Sequence, residues 1–383
     1  MRVELPEPTP DERAHSERVA ALIRAEIAAT GGAIDFARYM ELALYAPGLG
    51  YYSAGAAKFG AAGDFVTAPE LGFVFARCLA LALAPTLREL RGDVLELGPG
   101  SGALAADLLL ELERLDALPG RYRLLERSAD LRARQHEMLA ARCAHLVARC
   151  EWLDAPPTVS WRGVLVANEV IDALPVHAFA LREHGLFSRK IGVDENGNFV
   201  WREAEADASQ FEAVRAAVTN SVLSRQRASL DSLPRPYLSE VCTMLAPWLA
   251  TVTRTLEHGS AYFVDYGYAH GAYYAPQRRT GTLRCHWRHR AHDDPLILPG
   301  LQDITAWVDF DALARAGAQA RFEVAAHMTQ AQFLIEQGLD EVFARAYAQA
   351  SDEAARYALA QEVKRLTLPG EMGERFRVMA LQR

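Results

Sequence analysis

Along the 383-residue chain the apolar positions change period several times, and those changes outline the elements. Val19, Leu22, Ile23 and Ile27 recur every three or four residues, and Phe36, Met40 and Leu44 repeat the spacing, so residues 11–45 read as helical. Residues 46–66 hold Pro47, Gly48, Gly50, Gly55, Gly60 and Gly63 beside Tyr51 and Tyr52. No regular element tolerates that glycine density, so the stretch reads as a loop. Thr67 and Glu70 have capping-box spacing and Pro69 suits a first turn, so a helix is expected from Thr67.

From Asp93 the pattern alternates. Val94, Leu95 and Leu97 make a short apolar strand that ends in Gly98-Pro99-Gly100-Ser101-Gly102, and a helix is expected over 103–114. Tyr122 to Leu125 read as a second strand ending in Glu126, followed by a helix near 129–143. Val164 to Val166 end in Asn168-Glu169, and Ala261 to Val264 end in Asp265-Tyr266-Gly267. Short apolar strands alternating with helices imply an α/β fold, a parallel sheet with helices on both faces. A strand near 321–326, an acidic helical stretch near 329–366 and a last strand at 376–381 complete the pattern, so the chain end returns to the same sheet.

Two insertions interrupt this rhythm, one near 176–256 and one near 266–304. The first predicts a hairpin around Asn196-Gly197 and then helices. The second is rich in Tyr, His and Arg with little periodicity, and loops of that length are usually functional or disordered. The expected organisation is an N-terminal helical segment and loop over 1–66, then one domain over 67–383 carrying both insertions. The insertions could build the substrate side or a homodimer surface.

Composition narrows the class. Half the residues are apolar, which excludes a disordered chain, and 41 basic against 49 acidic residues leave a charge of −8. That balance argues against a nucleic-acid partner, which needs clustered Lys and Arg. The scattered cysteines, Cys78, Cys143, Cys150, Cys242 and Cys285, contain no C-x-x-C and read as buried thiols in a reducing compartment. The most apolar run, 78–87, is far short of the roughly 20 residues of a membrane span. The N-terminus, with Glu4, Glu7, Asp11 and Glu12 among early prolines, is neither a secretory signal nor a transit peptide, so a cytoplasmic location is expected.

Glu96-x-Gly98-x-Gly100-x-Gly102 follows a strand and opens a helix, and Glu126 lies at the end of the next strand. Glycines let backbone approach a ligand, the helix start supplies N–H groups, and the acid suits ribose hydroxyls. The spacing is G-x-G-x-G rather than the dinucleotide G-x-G-x-x-G, and a plain tight turn is the bland alternative. Glu169 and Asp172 stand just past a strand end, where open α/β sheets bind ligands. They could hold a cationic substrate or accept a proton, although an Asp before a helix also serves as an N-cap. Asp64, in Gly63-Asp64-Phe65-Val66-Thr67, could bind a ligand or order its turn. In Cys285-His286-Trp287-Arg288-His289-Arg290-Ala291-His292-Asp293-Asp294 the histidine spacing hints at a metal, but the arginines would repel a cation. No metal is expected there; a loop closing over the active site fits better.

These segments, with Gly281-Thr282-Leu283, Asp303-Ile304-Thr305 and Met372-Gly373-Glu374-Arg375-Phe376, resemble the MidA-like class I S-adenosylmethionine-dependent methyltransferases, in order from about residue 35 to the end. The resemblance implies a Rossmann-like, seven-strand, mostly parallel sheet with a decorated substrate side. It implies S-adenosyl-L-methionine as methyl donor, with Asp64, Glu96, Gly98, Gly100, Gly102, Glu126 and Asn168 on the cofactor side. The family's mitochondrial member, a complex I assembly factor, implies symmetric dimethylation of a protein arginine, for which Glu169 and Asp172 are the catalytic candidates. A small-molecule methyltransferase, a dinucleotide-dependent oxidoreductase and a non-catalytic assembly factor are the competing readings.

Overall fold

The computed structural model describes residues 5–54, 67–219, 223 and 229–383. Asp64 and its Gly63–Val66 neighbours lie outside the described residues. The chain divides into two compact units: 1–65, 172–246 and 268–315 make the first, and 66–171, 247–267 and 316–383 the second.

The second unit is the α/β framework. Among the described residues it holds β1 (Asp93–Leu97), β2 (Tyr122–Leu125), β3 (Cys150–Leu153), β4 (Trp161–Asn168), β5 (Leu256–Tyr268), β6 (Glu323–Thr329) and β7 (Phe376–Gln382). They lie side by side in the order β6-β7-β5-β4-β1-β2-β3. Pairing is parallel from β3 through β5, and only β7 runs antiparallel to its neighbours. The mostly parallel sheet with a returning last strand therefore holds as expected.

Alternation along the strands sorts the two faces. Val94, Tyr122, Leu124, Val164, Val166, Val264 and Val378 join one core with the apolar sides of helices Val74–Leu90 and Ala103–Arg114 and with Leu139 and Cys143 of helix Ala129–Cys143. On the other face Trp248 packs edge-on to Phe263, with ring centroids 6.2 Å apart. A Cβ added to Gly317 would meet the Leu381 side chain at 2.9 Å, so a second helix approaches there closely. The apolar run 78–87 is thus core, and no described helix is long and apolar enough to cross a membrane. All five cysteines are free.

The first unit departs from the sequence expectation. The helical stretch 11–45 is broken: Pro10–Ala29 and Phe36–Tyr45 are helices, but Gly31 and Gly32 take left-handed backbone and Ala33–Asp35 is a strand. That strand pairs with residues 190–192, so the N-terminal segment joins the first insertion instead of standing apart. Leu22 is partly exposed while Val19, Ile23 and Ile27 are buried.

The Asn196-Gly197 hairpin is present, joining Gly185–Val193 to Phe199–Glu205, with the Asp194 carboxylate accepting from the Asn196 and Asn198 amides. His177–Arg182 and Tyr237–Val241 extend this antiparallel sheet. The His- and Arg-rich stretch is not a loop. Arg284–Trp287, Arg290–His292 and Asp303–Thr305 form a small sheet of their own. Trp287 Nε1 donates to the Pro6 carbonyl and Arg288 pairs with Glu12 at 2.8 Å, so the hairpin is strapped to the N-terminal segment. The stretch is therefore strands joined by a tight turn where a loop was expected, with Trp287 and Arg288 committed within the unit.

Candidate functional site

The order of the sheet fixes where a ligand crevice opens. After β1 the chain builds outward to β2 and β3, then crosses back to lay β4 on the other side of β1. Strand order reverses between β1 and β4, and the crevice beyond the carboxyl ends of two such strands is where open α/β sheets bind ligands. One lip is therefore Gly98–Gly102 and the other Asn168–Val170.

The first lip takes left-handed backbone at every second residue. Gly98, Gly100 and Gly102 have φ of 59°, 54° and 86°, conformations that side chains rarely adopt. Close packing adds a second reason for glycine. A Cβ on Gly98 would lie 3.1 Å from the Val170 side chain of the opposite lip, and one on Gly102 would lie 3.2 Å from Gln135 Cα. Gly102 caps the Ala103–Arg114 helix, whose first N–H groups open toward the loop. The expected Thr67–Glu70 capping box does not form. The helix there is only Ala68–Leu71, and Glu70 turns away to accept a short hydrogen bond from the Ser101 hydroxyl, bracing the glycine loop.

Two acids flank this loop differently. Glu96 sits inside β1 with its side chain on the helix-covered face. It is 2% exposed and accepts from the Tyr122 hydroxyl at 2.7 Å. Burial pushes its carboxyl up to about 7, against the lowering effect of that hydrogen bond. Glu126 stands half-buried at the end of β2. Burial raises it too, opposed by the Ser128 amide at 2.8 Å and the Gln135 side chain at 3.4 Å.

Gln135 is the residue that sequence reading missed. It is fully buried; its Nε2 donates to the Gly100 carbonyl at 2.9 Å and its Oε1 accepts from Trp152 Nε1 at 3.0 Å. A signal existed: Leu131, Gln135, Leu139 and Cys143 form the buried stripe of the Ala129–Cys143 helix, and Gln135 is the polar member of an apolar face.

On the second lip Glu169 has φ 53°, left-handed backbone without glycine's freedom. Its amide donates to the Val264 carbonyl at 2.8 Å. Its carboxylate accepts from the Ala68 amide at 3.4 Å and from Asn168 Nδ2 at 3.3 Å. Asn168 Oδ1 is buried and finds no partner among the described residues, an unmet acceptor at the mouth of the crevice. Asp265, 1% exposed, holds the segment from below by accepting from the Ile171 and Tyr266 amides, each at 3.0 Å.

The structure thus brings Glu96, Gly98, Gly100, Gly102, Glu126, Asn168 and Glu169 into the second unit, around one strand-end crevice. Asp172 belongs to the first unit. It is 6% exposed, and its carbonyl accepts from the Ala306 amide at 2.9 Å. No helix follows it, so the N-cap alternative is excluded; residues 171–174 turn directly toward the His177–Arg182 strand. Among the described residues no group of His, Cys, Asp and Glu could hold a metal.

The residues at the crevice fit an adenosyl cofactor: a glycine loop that side chains would fill, a helix start, an acid on the next strand and an unmet acceptor opposite. A family model of S-adenosyl-L-methionine-dependent methyltransferases matches residues 78–328. The mitochondrial protein arginine methyltransferase NDUFAF7 homolog of Drosophila melanogaster is 30% identical, over 99% of this chain and 89% of its own. Its human counterpart is 26% identical, over 91% of this chain and 80% of its own. A crystal structure from Burkholderia thailandensis, of a candidate methyl transferase bound to S-adenosyl-homocysteine, superposes with a TM-score of 0.91 at 42% identity, covering 99% and 95% of the two chains. The cytoplasmic expectation is corrected by these relatives: the curated ones from Drosophila, zebrafish and human are all mitochondrial by name. An N-terminal composition that lacks a leader's features was not a sound guide to compartment.

Proposed function

The chain belongs to the S-adenosyl-L-methionine-dependent methyltransferase family, and from that premise we propose that it methylates an arginine of a protein substrate, with Glu169 as the group that handles the guanidinium. The enzyme class and cofactor follow from the family match and the S-adenosyl-homocysteine-bound neighbour. The arginine substrate is supported by the names of the relatives, which are protein arginine methyltransferases. The observation that carries the reading is the conformation of Glu169: a carboxylate kept in left-handed backbone at the crevice lip, where glycine would be the relaxed choice.

In this reading Gly98, Gly100 and Gly102 let backbone approach the cofactor, Glu126 accepts its ribose hydroxyls, and Asn168 Oδ1 gains the donor it lacks in the protein alone. Glu96 acts from beneath, shaping the strand that delivers the glycine loop. Asp64 of the preceding signature is assigned to the same cofactor side by resemblance. When bound, S-adenosyl-L-methionine supplies a methyl group activated by its sulfonium. The protein's task is to set a nucleophile about 3–3.5 Å from that carbon and in line.

A guanidinium resists this because its pKa lies above about 12 and its charge is delocalised. Charge-assisted hydrogen bonds to the Glu169 carboxylate would orient the group and draw charge toward the nitrogens it touches, leaving the remaining nitrogen more nucleophilic. Ala68 N–H and Asn168 Nδ2 on the same carboxylate hold it in place for that work. Asp172, buried in the first unit, is assigned a supporting role on the substrate side. Incubating the protein with methyl-labelled S-adenosyl-L-methionine and host lysate, then hydrolysing the labelled protein, should return label as methylarginine. Label confined to small molecules, or to other amino acids, would overturn the arginine assignment.

A further inference from the structure

Gln135 contacts three elements that converge on the crevice, and its own chemistry fixes how. Trp152 Nε1 is only a donor, so the Gln135 atom facing it at 3.0 Å is the carbonyl oxygen. The amide nitrogen then points at two acceptors, the Gly100 carbonyl at 2.9 Å and the Glu126 carboxylate at 3.4 Å. No flipped amide satisfies all three partners. The backbone of Gln135 also lies against Gly102. One buried side chain thus links β3, the glycine loop and the acid at the end of β2, its amide supplying the acceptor that Trp152 needs and the donor that the other two need.

We propose that Gln135 is a positioning residue for the cofactor: it sets the distance between the glycine loop and Glu126 and keeps that carboxylate turned to receive the ribose hydroxyls. This rests on the cofactor reading of the crevice given above. Among the described residues the groups around the Glu126 carboxylate are few. Besides Gln135 it meets the Ser128 and Arg127 amides of its own turn, and Arg132 from the same helix, whose Nε donates to the Glu126 carbonyl at 2.7 Å. Burial already pushes the Glu126 carboxyl up from its ordinary value, so the loss of one of these donors raises it further. An ionised Glu126 accepts two hydroxyls and a protonated one does so poorly. Cofactor affinity should therefore fall as pH drops through the Glu126 pKa, and Gln135 sets where that fall begins.

The test is titration calorimetry of the full chain with S-adenosyl-homocysteine across the whole pH range in which the protein stays folded. At pH 7.5 Gln135→Met should bind about tenfold more weakly, the usual worth of a lost hydrogen bond to a charged group. The midpoint of its affinity–pH curve should lie at higher pH than that of the wild type. Trp152→Phe, which frees the Gln135 carbonyl without touching Glu126, should shift the midpoint in the same direction by less, and it decides the matter if Gln135→Met does not fold. Glu126→Gln should bind weakly with no pH-dependent fall over this range. Wild-type affinities and midpoints in both Gln135→Met and Trp152→Phe would overturn the positioning role while leaving the cofactor reading intact. No binding by the wild type would overturn both.

Discussion

Glu169, with φ 53°, and the pair Arg288-His289, with φ 46° and 61°, both put non-glycine side chains into left-handed backbone. Both also stand in segments whose residue types suggest chemistry. In the first unit the strain has a local cause. Trp287 pairs with Arg290, so Arg288 and His289 are the two turn residues of a hairpin, and a two-residue turn with both φ positive is the one that matches strand twist. In the second unit Glu169 follows a parallel strand and closes no hairpin. The backbone there gains nothing from a glutamate that glycine would not supply at lower cost, and what remains is its carboxylate. Similar outliers thus have an architectural cause at the hairpin, whereas at Glu169 the proposed function supplies the reason that no turn does.

Substitutions can break that distinction. The largest effect is expected at Glu169. Glu169→Gln should lower methyl transfer by about 10²–10³-fold, the range for losing a positioned electrostatic group, while thermal stability stays near wild type. Next comes Glu96→Gln. The folded carboxyl titrates at about 7 against an ordinary value of 4.5, so between those values the native state holds a proton the unfolded chain has released. That proton-linked stability is present at acid pH and lost as pH rises through the window. Thermal melts should show Glu96→Gln gaining on the wild type from pH 4.5 to 7 by on the order of 1–3 kcal/mol, then holding constant. S-adenosyl-homocysteine affinity should barely change if Glu96 works from beneath the loop. A large loss would make it a direct ligand.

Gly98→Ala adds a Cβ at φ 59° and presses it toward Val170, at 3.1 Å, on the other lip. It should cost about 1–2 kcal/mol in denaturant unfolding and weaken S-adenosyl-homocysteine binding. The smallest effect separates the two outliers directly. His289→Gly should stabilise the protein by about 0.5–1 kcal/mol and leave transfer unchanged, since glycine suits that turn. Glu169→Gly should relax its backbone equally and still abolish transfer. Loss of transfer in His289→Gly would return the hairpin to the candidate site.

Much of the second unit was legible. The strand at Tyr122–Leu125 and the helices Ala103–Arg114 and Ala129–Cys143 lie where the periodicity put them, because each apolar face packs on one continuous sheet. Cys150–Leu153 was not, since it is a short edge strand with no residue fully buried and no alternation to read. In the first unit His177–Arg182 and Tyr237–Val241 escaped notice because short mixed runs become strands only through antiparallel partners distant in sequence. The glycine loop, Glu126 and Glu169 were visible as motifs. Gln135 was not, because its importance lies in three contacts from different elements that no local spacing encodes. Thr67 and Glu70 show the converse: their spacing promised a cap, but Ser101 captured Glu70.

The most direct test pairs two measurements on Glu169→Gln: its affinity for S-adenosyl-homocysteine by calorimetry, and its rate of label transfer from S-adenosyl-L-methionine to protein arginine. The predicted result is cofactor affinity within about twofold of wild type with transfer reduced at least 10²-fold. Transfer at the wild-type rate would contradict the assignment of Glu169, and with it the functional reading of its left-handed backbone.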